Sequence, residues 1–235
     1  MFWFNGKSCP AENLYRIIGV IDGKVKLIKN EVMTVEELGT DGACSGEDVA
    51  GCFWNKEKYE SNNTWSDSLL NKINLNTNFI NYLGPEWSSK IATTTWKVGG
   101  INFKKTDDSV ESYYQNEIIN PDPADTSDNA TTYDAKIGLI YYSDFMAAKK
   151  PNEIEGAGFN YGFNWIRSYI DLGWTITRVT PGKKFPATIA FEGDDNFLSL
   201  PLSWEEGCAR AVFNLEPSVA YVSGAGTQSD PIRIN

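Results

Sequence analysis

The sequence predicts an α+β fold in which helices come early and a twisted antiparallel sheet dominates later. Two β-rich runs flank a turn signal near the start, apolar residues recur at four-residue spacing over 65–73, and short alternating strands separated by long loops follow. Because helices and strands occupy separate stretches, this order is typical of an α+β protein. At 235 residues the chain has room for one large domain or two small ones, and we expect a single domain over 1–235.

The first predicted element is a β-hairpin within Leu14–Lys29, LYRIIGVIDGKVKLIK. Its two β-rich runs meet at Asp22-Gly23, a pair that fits a two-residue type I′ turn, in which both central positions need positive φ. Residues 30–62 are polar and contain glycines, so we expect mostly irregular structure there.

Three helices are predicted next. The apolar spacing over 65–73 indicates the first, with Thr64 and Ser66 as candidate caps. Apolar residues over 79–83 indicate a second, short helix that Gly84 ends. Pro85 can then open a third helix, because the first turn of a helix does not need its missing N–H group. The tryptophans of this region are predicted to anchor the core.

The middle and late parts of the chain are predicted to form strands between long loops. Residues 101–135 are mostly polar, and PDPADTSDNATT within them is rich in turn formers. Glu192–Asn196 is predicted to be the five-residue loop of a hairpin. The predicted strands are 96–98 (ended by Gly99-Gly100), 137–142, 174–179, 188–191 and 197–202.

The last segment, Ala209–Ile234, is predicted to close the domain. Alternating apolar residues over Ala209–Leu215 indicate a half-buried strand. Pro217 then interrupts the ladder, since proline cannot donate to it. An extended stretch resumes at Val219–Val222, the glycines at 224 and 226 permit a tight turn, and the final isoleucines are expected to pair into a sheet.

Composition excludes several kinds of partner. The net charge of −10 and the isoelectric point near 4.6 argue against nucleic acid and against an electrostatic hold on anionic lipid. The sequence has no apolar run of 18 residues and no secretory signal pattern at its start. The opening MFWFNGK resembles the interior of a domain behind an initiator Met, which favours an excised segment, although a native cytoplasmic start would read the same.

Four cysteines, Cys9, Cys44, Cys52 and Cys208, allow three disulfide pairings. Cys44 and Cys52 bracket a short Gly-containing loop and are the favoured pair, which leaves Cys9 to join Cys208. Disulfides fit an exported protein, and four reduced cysteines in a cytosolic protein are the alternative. The sequence has no histidine, so His-based catalytic triads are excluded, and a zinc site is not expected.

A set of phrases in fixed order carries a family resemblance. The phrases are LYRIIGVIDGKVKLIK, TWSDSLLNKIN, KIATTTWKVGG, AKIGLIYYSDFMAA, WTITR, RAVFNL and SGAGTQSDPIRI. Together they resemble an uncharacterised domain of Gram-positive bacterial surface proteins, some of which carry pilin-like leaders. The C-terminal half looks like the C-type-lectin-like fold of formylglycine-generating-enzyme relatives and ligand-binding surface proteins.

The chain departs from this family in two places. Arg210-Ala211-Val212 stands where the family usually has Arg-Pro-Val. The cysteine spacing does not match the pair on which the enzymatic branch depends. The resemblance therefore implies an extracellular surface module with no catalytic residues, and it does not imply a cofactor.

Candidate ligand-binding residues lie in the C-terminal half. Aromatic faces and amide groups suit ligand stacking and hydrogen bonding, although burial of Phe163 and Trp165 in the core is the stronger alternative. The acidic loop that contains Glu192 offers oxygen ligands for calcium, but it lacks a calcium-motif spacing, and a plain hairpin tip is favoured. The candidates are Tyr161, Asn164, Trp165, Asp194, Asp195, Asn196 and Trp204.

The function expected from these observations is non-enzymatic binding or adhesion at the bacterial cell surface, with a glycan or a protein of a host or neighbouring cell as partner. A pilin-type or surface-layer subunit, whose partners are copies of itself, is the first alternative. A polysaccharide hydrolase is the weaker one, because it needs two carboxylates across a cleft. The available acidic doublets, Glu205-Glu206 and Asp194-Asp195, have the character of solvated surface.

Overall fold

The computed structural model describes residues 14–48, 50–55, 64–101, 109–119, 132–147, 172–179, 185–192, 195–199 and 206–235. Within these ranges the chain is mixed α and β, as predicted, and its sheets are small and mostly antiparallel. Among the described residues, no helix combines the length and the apolar character needed to cross a bilayer.

The elements are numbered along the chain. The α-helices are α1 Val35–Leu38, α2 Ile80–Ser88, α3 Val110–Tyr114 and α4 Tyr142–Ala147, and π-helices cover Leu70–Phe79 and Gln115–Ile119. The strands are β1 Tyr15–Ile21, β2 Lys24–Lys29, β3 Cys44–Ser45, β4 Gly51–Cys52, β5 Thr94–Lys97, β6 Gly100–Ile101, β7 Thr132–Ala135, β8 Leu172–Val179, β9 Phe185–Glu192, β10 Asp195–Ser199, β11 Val212–Asn214, β12 Tyr221–Ser223 and β13 Arg233–Ile234.

The predicted N-terminal hairpin is confirmed. Strands β1 and β2 pair antiparallel around Asp22 and Gly23, whose φ angles of 51° and 74° are both positive, as a type I′ turn requires. On its other side β2 pairs with β11, so the sheet order is β1-β2-β11. The first and last quarters of the chain therefore meet in one sheet.

The segment Ala209–Leu215 was predicted to be one half-buried strand, but only Val212–Asn214 form strand β11, and the segment is not half-buried. Its polar residues are buried as well as its apolar ones, with Arg210 9% and Asn214 5% exposed. All three residues of β11 are buried, so other parts of the chain cover both of its faces. Its edges are covered as well, because Val212 pairs with β2 on one side and exchanges backbone hydrogen bonds with Gly138 on the other.

The predicted helices exist as one run with a single interruption. The π-helix Leu70–Phe79 continues directly into α2, whereas separate helices were predicted. Residues 65–67, expected to begin the first helix, form a turn. Gly84 does interrupt the helical geometry, with φ 74° and ψ 173°, and Pro85 follows it. Without a stop residue between 70 and 80, nothing in the sequence ends the helix earlier.

Asparagine side chains join the π-helix Leu70–Phe79 to two loops. Asn74 accepts a hydrogen bond from the backbone N–H of Ala43 and donates one to the carbonyl of Leu38, each at 2.8 Å. Asn76 likewise accepts from the N–H of Ile137 and donates to its carbonyl, each at 2.9 Å. The helix thus serves as a hydrogen-bonding partner for backbone distant in sequence.

The mostly polar stretch 101–135 contains α3, the second π-helix and β7, and the loop predicted over PDPADTSDNATT lies almost wholly outside the described residues. Ser109 caps α3, since its hydroxyl accepts a hydrogen bond from the N–H of Ser112. This cap was not recognised, because polar residues dominate the segment and hide the short helical turn. Strand β7 pairs antiparallel with β5.

The apolar run 137–142 was predicted to be a strand and is not one. Gly138 and Ile140 make isolated bridges to Val212 and Thr175, and Tyr142 begins α4. The run is buried, with Ile137 and Leu139 each at 0% exposure. A short apolar run does not distinguish a strand from another buried segment, which explains the error.

The late sheet has the order β10-β9-β8-β6. Strand β8 confirms the strand predicted over 174–179, and strands β9 and β10 confirm the predicted hairpin. Both hairpin strands extend further toward the turn than predicted. Asp195 pairs with Glu192, so the five-residue loop predicted over 192–196 was too long. Gly100 was predicted to end a strand and instead begins β6, which runs parallel to β8.

The chain ends in the small β12–β13 ladder, which confirms that the terminus pairs into a sheet. Gly224 has φ 102°, and a Cβ atom there would lie 2.0 Å from the carbonyl oxygen of Pro231. Any larger residue at 224 would therefore push the two strands apart.

Candidate functional site

Most of the predicted ligand residues lie outside the described part of the chain. These are Tyr161, Asn164, Trp165, Asp194 and Trp204. Asp195 and Asn196 are in strand β10, where they pair with Glu192 and Phe191 instead of forming a loop tip. The ligand contacts expected in these loops stay predictions.

The described residues form a pocket of about 350 Å³ with both polar and apolar lining residues, which we name the turn pocket. It lies between the hairpin turn with the start of β2 (residues 21–26), the segment 93–97, and the end of α3 with the π-helix that follows. Tyr141 and Asn214 complete its lining. The pairing of β11 with β2 places Asn214 beside Lys26, and the hydrogen bond from the N–H of Ala92 to the carbonyl of Asn214 brings the threonine segment to the same place.

Hydroxyl and amide groups line one side of the turn pocket. Thr93 and Thr95 are exposed, and Thr94 accepts a hydrogen bond of 2.9 Å from the Nδ2 atom of Asn214. The Oδ1 atom of Asn214 is buried and has no hydrogen-bond partner among the described residues. Turning the amide over would exchange the roles of its two polar atoms and still leave one unpaired. The pocket therefore includes an unsatisfied polar group beside its hydroxyls.

Backbone hydrogen bonds fix this part of the pocket. The carbonyl of Asn214 accepts from the N–H of Ala92 at 2.8 Å, and Asn214 pairs with Lys26 in the ladder between β11 and β2. The segment that leads into the three threonines is thereby tied to the central sheet. The polar wall is preformed, and a ligand would not have to order it.

Three lysines line the turn pocket. Lys24 and Lys26 are two residues apart on β2 and so lie on the same face of the strand. Lys26 is 2% exposed, and its Nζ atom is 2.5 Å from Asp144 and 4.8 Å from the ring centre of Tyr141. Lys24 and Lys97 are half-buried, and within the described ranges neither forms an ion pair.

Tyr141 holds the backbone of Lys97 at both polar atoms. Its hydroxyl donates to the Lys97 carbonyl at 2.8 Å and accepts from the Lys97 N–H at 3.1 Å. Burial raises the pKa of Tyr141 well above its usual value, and the nearby carboxyl groups of Asp144 and Glu117 raise it further. The phenol therefore keeps the proton that it donates.

Glu117 joins the second π-helix to α4 and β8. Its carboxyl group accepts hydrogen bonds from the N–H groups of Tyr142 (3.1 Å) and Ser143 (3.0 Å) and from the hydroxyl of Thr177 (2.5 Å). Its side chain is fully buried, and this burial raises its pKa from 4.5 to about 7, although the hydrogen bonds from Ser143 and Thr177 oppose the rise. Glu117 thus satisfies the first backbone donors of α4.

Lys26, Glu117, Tyr141 and Asp144 form what we name the charged cluster. Each of its titratable groups is engaged by a partner inside the protein: Lys26 by Asp144, Tyr141 by the backbone of Lys97, and Glu117 by three donors. These contacts hold Lys26 and Tyr141, which line the turn pocket, in fixed positions. The chemistry that the turn pocket offers is hydrogen bonding and charge.

The predicted disulfide between Cys44 and Cys52 is confirmed, with the two residues opposite each other in β3 and β4. It adjoins Trp54, Trp65 and Trp174, which we name the tryptophan cluster. Trp174 donates from Nε1 to the Cys52 carbonyl at 2.7 Å, and its ring centre is 5.4 Å from that of Trp54. Cys9 lies outside the described residues, so its pairing with Cys208 stays a prediction.

Sequence reasoning missed the turn pocket entirely. Its residues come from five separate parts of the chain, and within each part they were interpreted as strand or loop. Two local signals were available. The run Thr93–Lys97 places consecutive hydroxyls beside a tryptophan, and the alternation of Lys24 and Lys26 places two cations on one face of a strand.

Comparison with protein-family models, with curated proteins and with solved structures finds no match for this chain. The C-type-lectin-like architecture and the surface-protein family therefore remain expectations.

Proposed function

We propose that this chain is a non-enzymatic binding module of the bacterial cell surface, with a C-type-lectin-like architecture, that recognises a glycan. The observation that carries the proposal is the composition of the turn pocket. Threonine hydroxyls, the unsatisfied amide of Asn214 and the partly exposed ring of Tyr114 line one cavity. Sugars present hydroxyl groups and apolar ring faces, which such a lining matches.

The rigidity of the pocket supports binding. Tyr141 fixes the backbone of Lys97, and the Ala92–Asn214 hydrogen bond fixes the threonine segment. A preformed site binds more tightly than a mobile one, because less conformational entropy is lost when the ligand arrives.

The Cys44–Cys52 disulfide supports an extracellular location, since disulfides persist in oxidising compartments. The resemblance to surface-protein domains agrees with this location. The aromatic and amide residues of the C-terminal loops, Trp165 and Trp204 in particular, remain candidates for a second ligand contact.

The test is a screen of the purified protein on glycan arrays, followed by titration of any sugar that binds. Tyr114→Ala removes the ring from the pocket and is expected to weaken binding by about tenfold. Tyr221→Ala is the matched control, because that tyrosine is 66% exposed and does not line the pocket. Thermal denaturation of both variants checks that they are folded.

Absence of binding across broad glycan arrays would refute the proposal. If Tyr114→Ala and Tyr221→Ala weaken glycan binding equally, the glycan does not bind in the turn pocket. Trp165→Ala and Trp204→Ala then ask whether the C-terminal loops hold the ligand instead.

A structural subunit that assembles with copies of itself is the second candidate. It is favoured by Val20 and Ile17 on β1, which are 67% and 46% exposed, and by the position of β1 at the edge of the described sheet. Exposed edge strands pair with other chains unless they are protected. Concentration-dependent assembly in light scattering, abolished by Val20→Lys, would support this function over glycan binding.

A further inference from the structure

We propose that the glycan recognised by the turn pocket is anionic, a saccharide that carries carboxylate or phosphate groups, and that Lys24 and Lys97 bind its charge. This inference rests on the proposed function and names the class of ligand. It comes from the distribution of charge around the pocket.

The pocket lining has an excess of positive charge, whereas the whole chain is negatively charged. The chain has a net charge of −10, yet the lining contains Lys24, Lys26 and Lys97 against a single carboxylate, Asp22. A cavity that concentrates charge of one sign attracts ligands of the other sign. In an acidic protein this local excess of cations selects an anion.

Lys26 does not supply this charge. Its Nζ atom is 2.5 Å from Asp144 and lies over the Tyr141 ring, with the side chain 2% exposed. A ligand anion would have to displace Asp144 and leave that carboxylate without its partner, which is unfavourable. Lys26 therefore holds the pocket wall in place, and the charge of the ligand is bound by Lys24 and Lys97.

Lys24 and Lys97 are placed to act together. Both are half-buried and line the same pocket, and within the described part of the chain neither has an ion-pair partner. The backbone of Lys97 is fixed by the hydroxyl of Tyr141, which hydrogen-bonds to both its N–H and its carbonyl. Ammonium groups on flexible stems suit both carboxylate and phosphate, since they act as point charges and do not require one geometry.

The unsatisfied amide of Asn214 gives this site a second, independent contact. Asn214 is 5% exposed, and its Oδ1 atom has no hydrogen-bond partner among the described residues. The Oδ1 atom is enclosed by its neighbours, so a sugar hydroxyl would donate to it once the Asn214 side chain turns toward the pocket, while the charged substituent lies toward the lysines. The ligand that fits has both hydroxyl and anionic groups, unlike a simple inorganic anion.

The experiment compares matched saccharides by calorimetry. Oligogalacturonate is paired with neutral oligogalactose, and phosphate-bearing mannan with plain mannan, so that the two arms separate carboxylate from phosphate. Lys24→Gln and Lys97→Gln are each expected to weaken binding of the charged partner by about tenfold, because hydrogen bonds to charged groups contribute more than neutral ones. Lys72→Gln is the control, since that lysine is exposed and lies outside the pocket.

A preference for the charged partner that falls in Lys24→Gln and Lys97→Gln, and stays in Lys72→Gln, supports the inference. Equal binding of charged and neutral partners overturns it and leaves glycan recognition standing. A preference that survives in the double variant K24Q/K97Q overturns the assignment of these lysines. If none of the four saccharides binds and the arrays also show no ligand, the proposed function itself fails.

Discussion

The tryptophan cluster and the charged cluster are both shielded from solvent, but their side chains interact in different ways. Trp54 and Trp65 pack ring against ring at 5.4 Å, and their Nε1 atoms have no hydrogen-bond partner within the described residues. In the charged cluster, by contrast, Lys26 and Glu117 are each held by specific partners. One region is stabilised by buried area and the other by matched polar groups.

The two regions should therefore respond differently to substitution and to pH. Apolar packing is lost in proportion to the volume removed and is insensitive to pH. A buried polar network depends on every partner being present and on the protonation state of each. The charged cluster supports the turn pocket, so the site is attached to the more sensitive of the two regions.

The largest expected effect is in the tryptophan cluster. Trp54→Ala should lower the free energy of unfolding by about 4 kcal/mol, because Trp54 is 1% exposed and its removal leaves a large cavity. Urea denaturation followed by circular dichroism measures this. Tyr221→Ala, at an exposed position, should change the value by less than about 0.5 kcal/mol. A Trp54 variant as stable as that control would show that the cluster is not a stabilising core.

The second-largest effect is expected in the charged cluster, and it distinguishes this cluster most directly from the tryptophan cluster. Lys26→Met should lower the free energy of unfolding by about 3 kcal/mol, because Asp144 would keep its charge in a largely buried position without a partner. Changing Asp144 to Asn as well should recover part of that loss. Urea denaturation of the single and double variants gives the coupling between the residues. If the losses in the free energy of unfolding of the single variants add up to the loss in the double variant, the Lys26–Asp144 ion pair has no role in stability.

Glu117 makes the stability of the charged cluster depend on pH. Its pKa rises from 4.5 when exposed to about 7 in the folded protein, so the folded state holds the proton more tightly than the unfolded state. The resulting stability is complete below about pH 4.5 and is lost as the pH rises toward 7. Converted at about 1.4 kcal/mol per pH unit, the contribution is about 3 kcal/mol.

Denaturation series at pH values from about 4.5 to 7.5 test this dependence. Glu117→Gln should flatten the pH profile over that interval, because glutamine does not titrate. It should also lower stability at acid pH by about 1–3 kcal/mol, since its amide nitrogen cannot accept a hydrogen bond as a carboxyl oxygen does. An unchanged pH profile in this variant would assign the titration to another group.

The smallest effect concerns the disulfide. Replacing Cys44 and Cys52 together by serine should lower the free energy of unfolding by about 2.5 kcal/mol, because the bond closes a loop across a sequence separation of only 8. Reductant should have the same effect on the native protein. If reductant destabilises the double variant further, a second disulfide exists, as predicted for Cys9 and Cys208.

The elements that sequence predicted correctly are those specified by adjacent residues. Asp22-Gly23 determines its hairpin because both positions adopt positive φ, and Cys44 and Cys52 are close enough in sequence to pair across a short loop. The run 137–142 was misread because its burial comes from partners elsewhere, such as Val212. The turn pocket was missed for the same reason, since Lys26 and Asn214 become neighbours only when β11 pairs with β2.

The asparagine contacts of the π-helix Leu70–Phe79 have a consequence for the order of folding. Asparagine and threonine are poor helix formers, and this segment contains several of them. Asn74 and Asn76 obtain their hydrogen bonds from Leu38, Ala43 and Ile137, which the isolated segment lacks. The segment therefore cannot nucleate folding as an autonomous helix. It becomes helical as those loops dock on it, so its amide protons should exchange with solvent only when the whole domain opens.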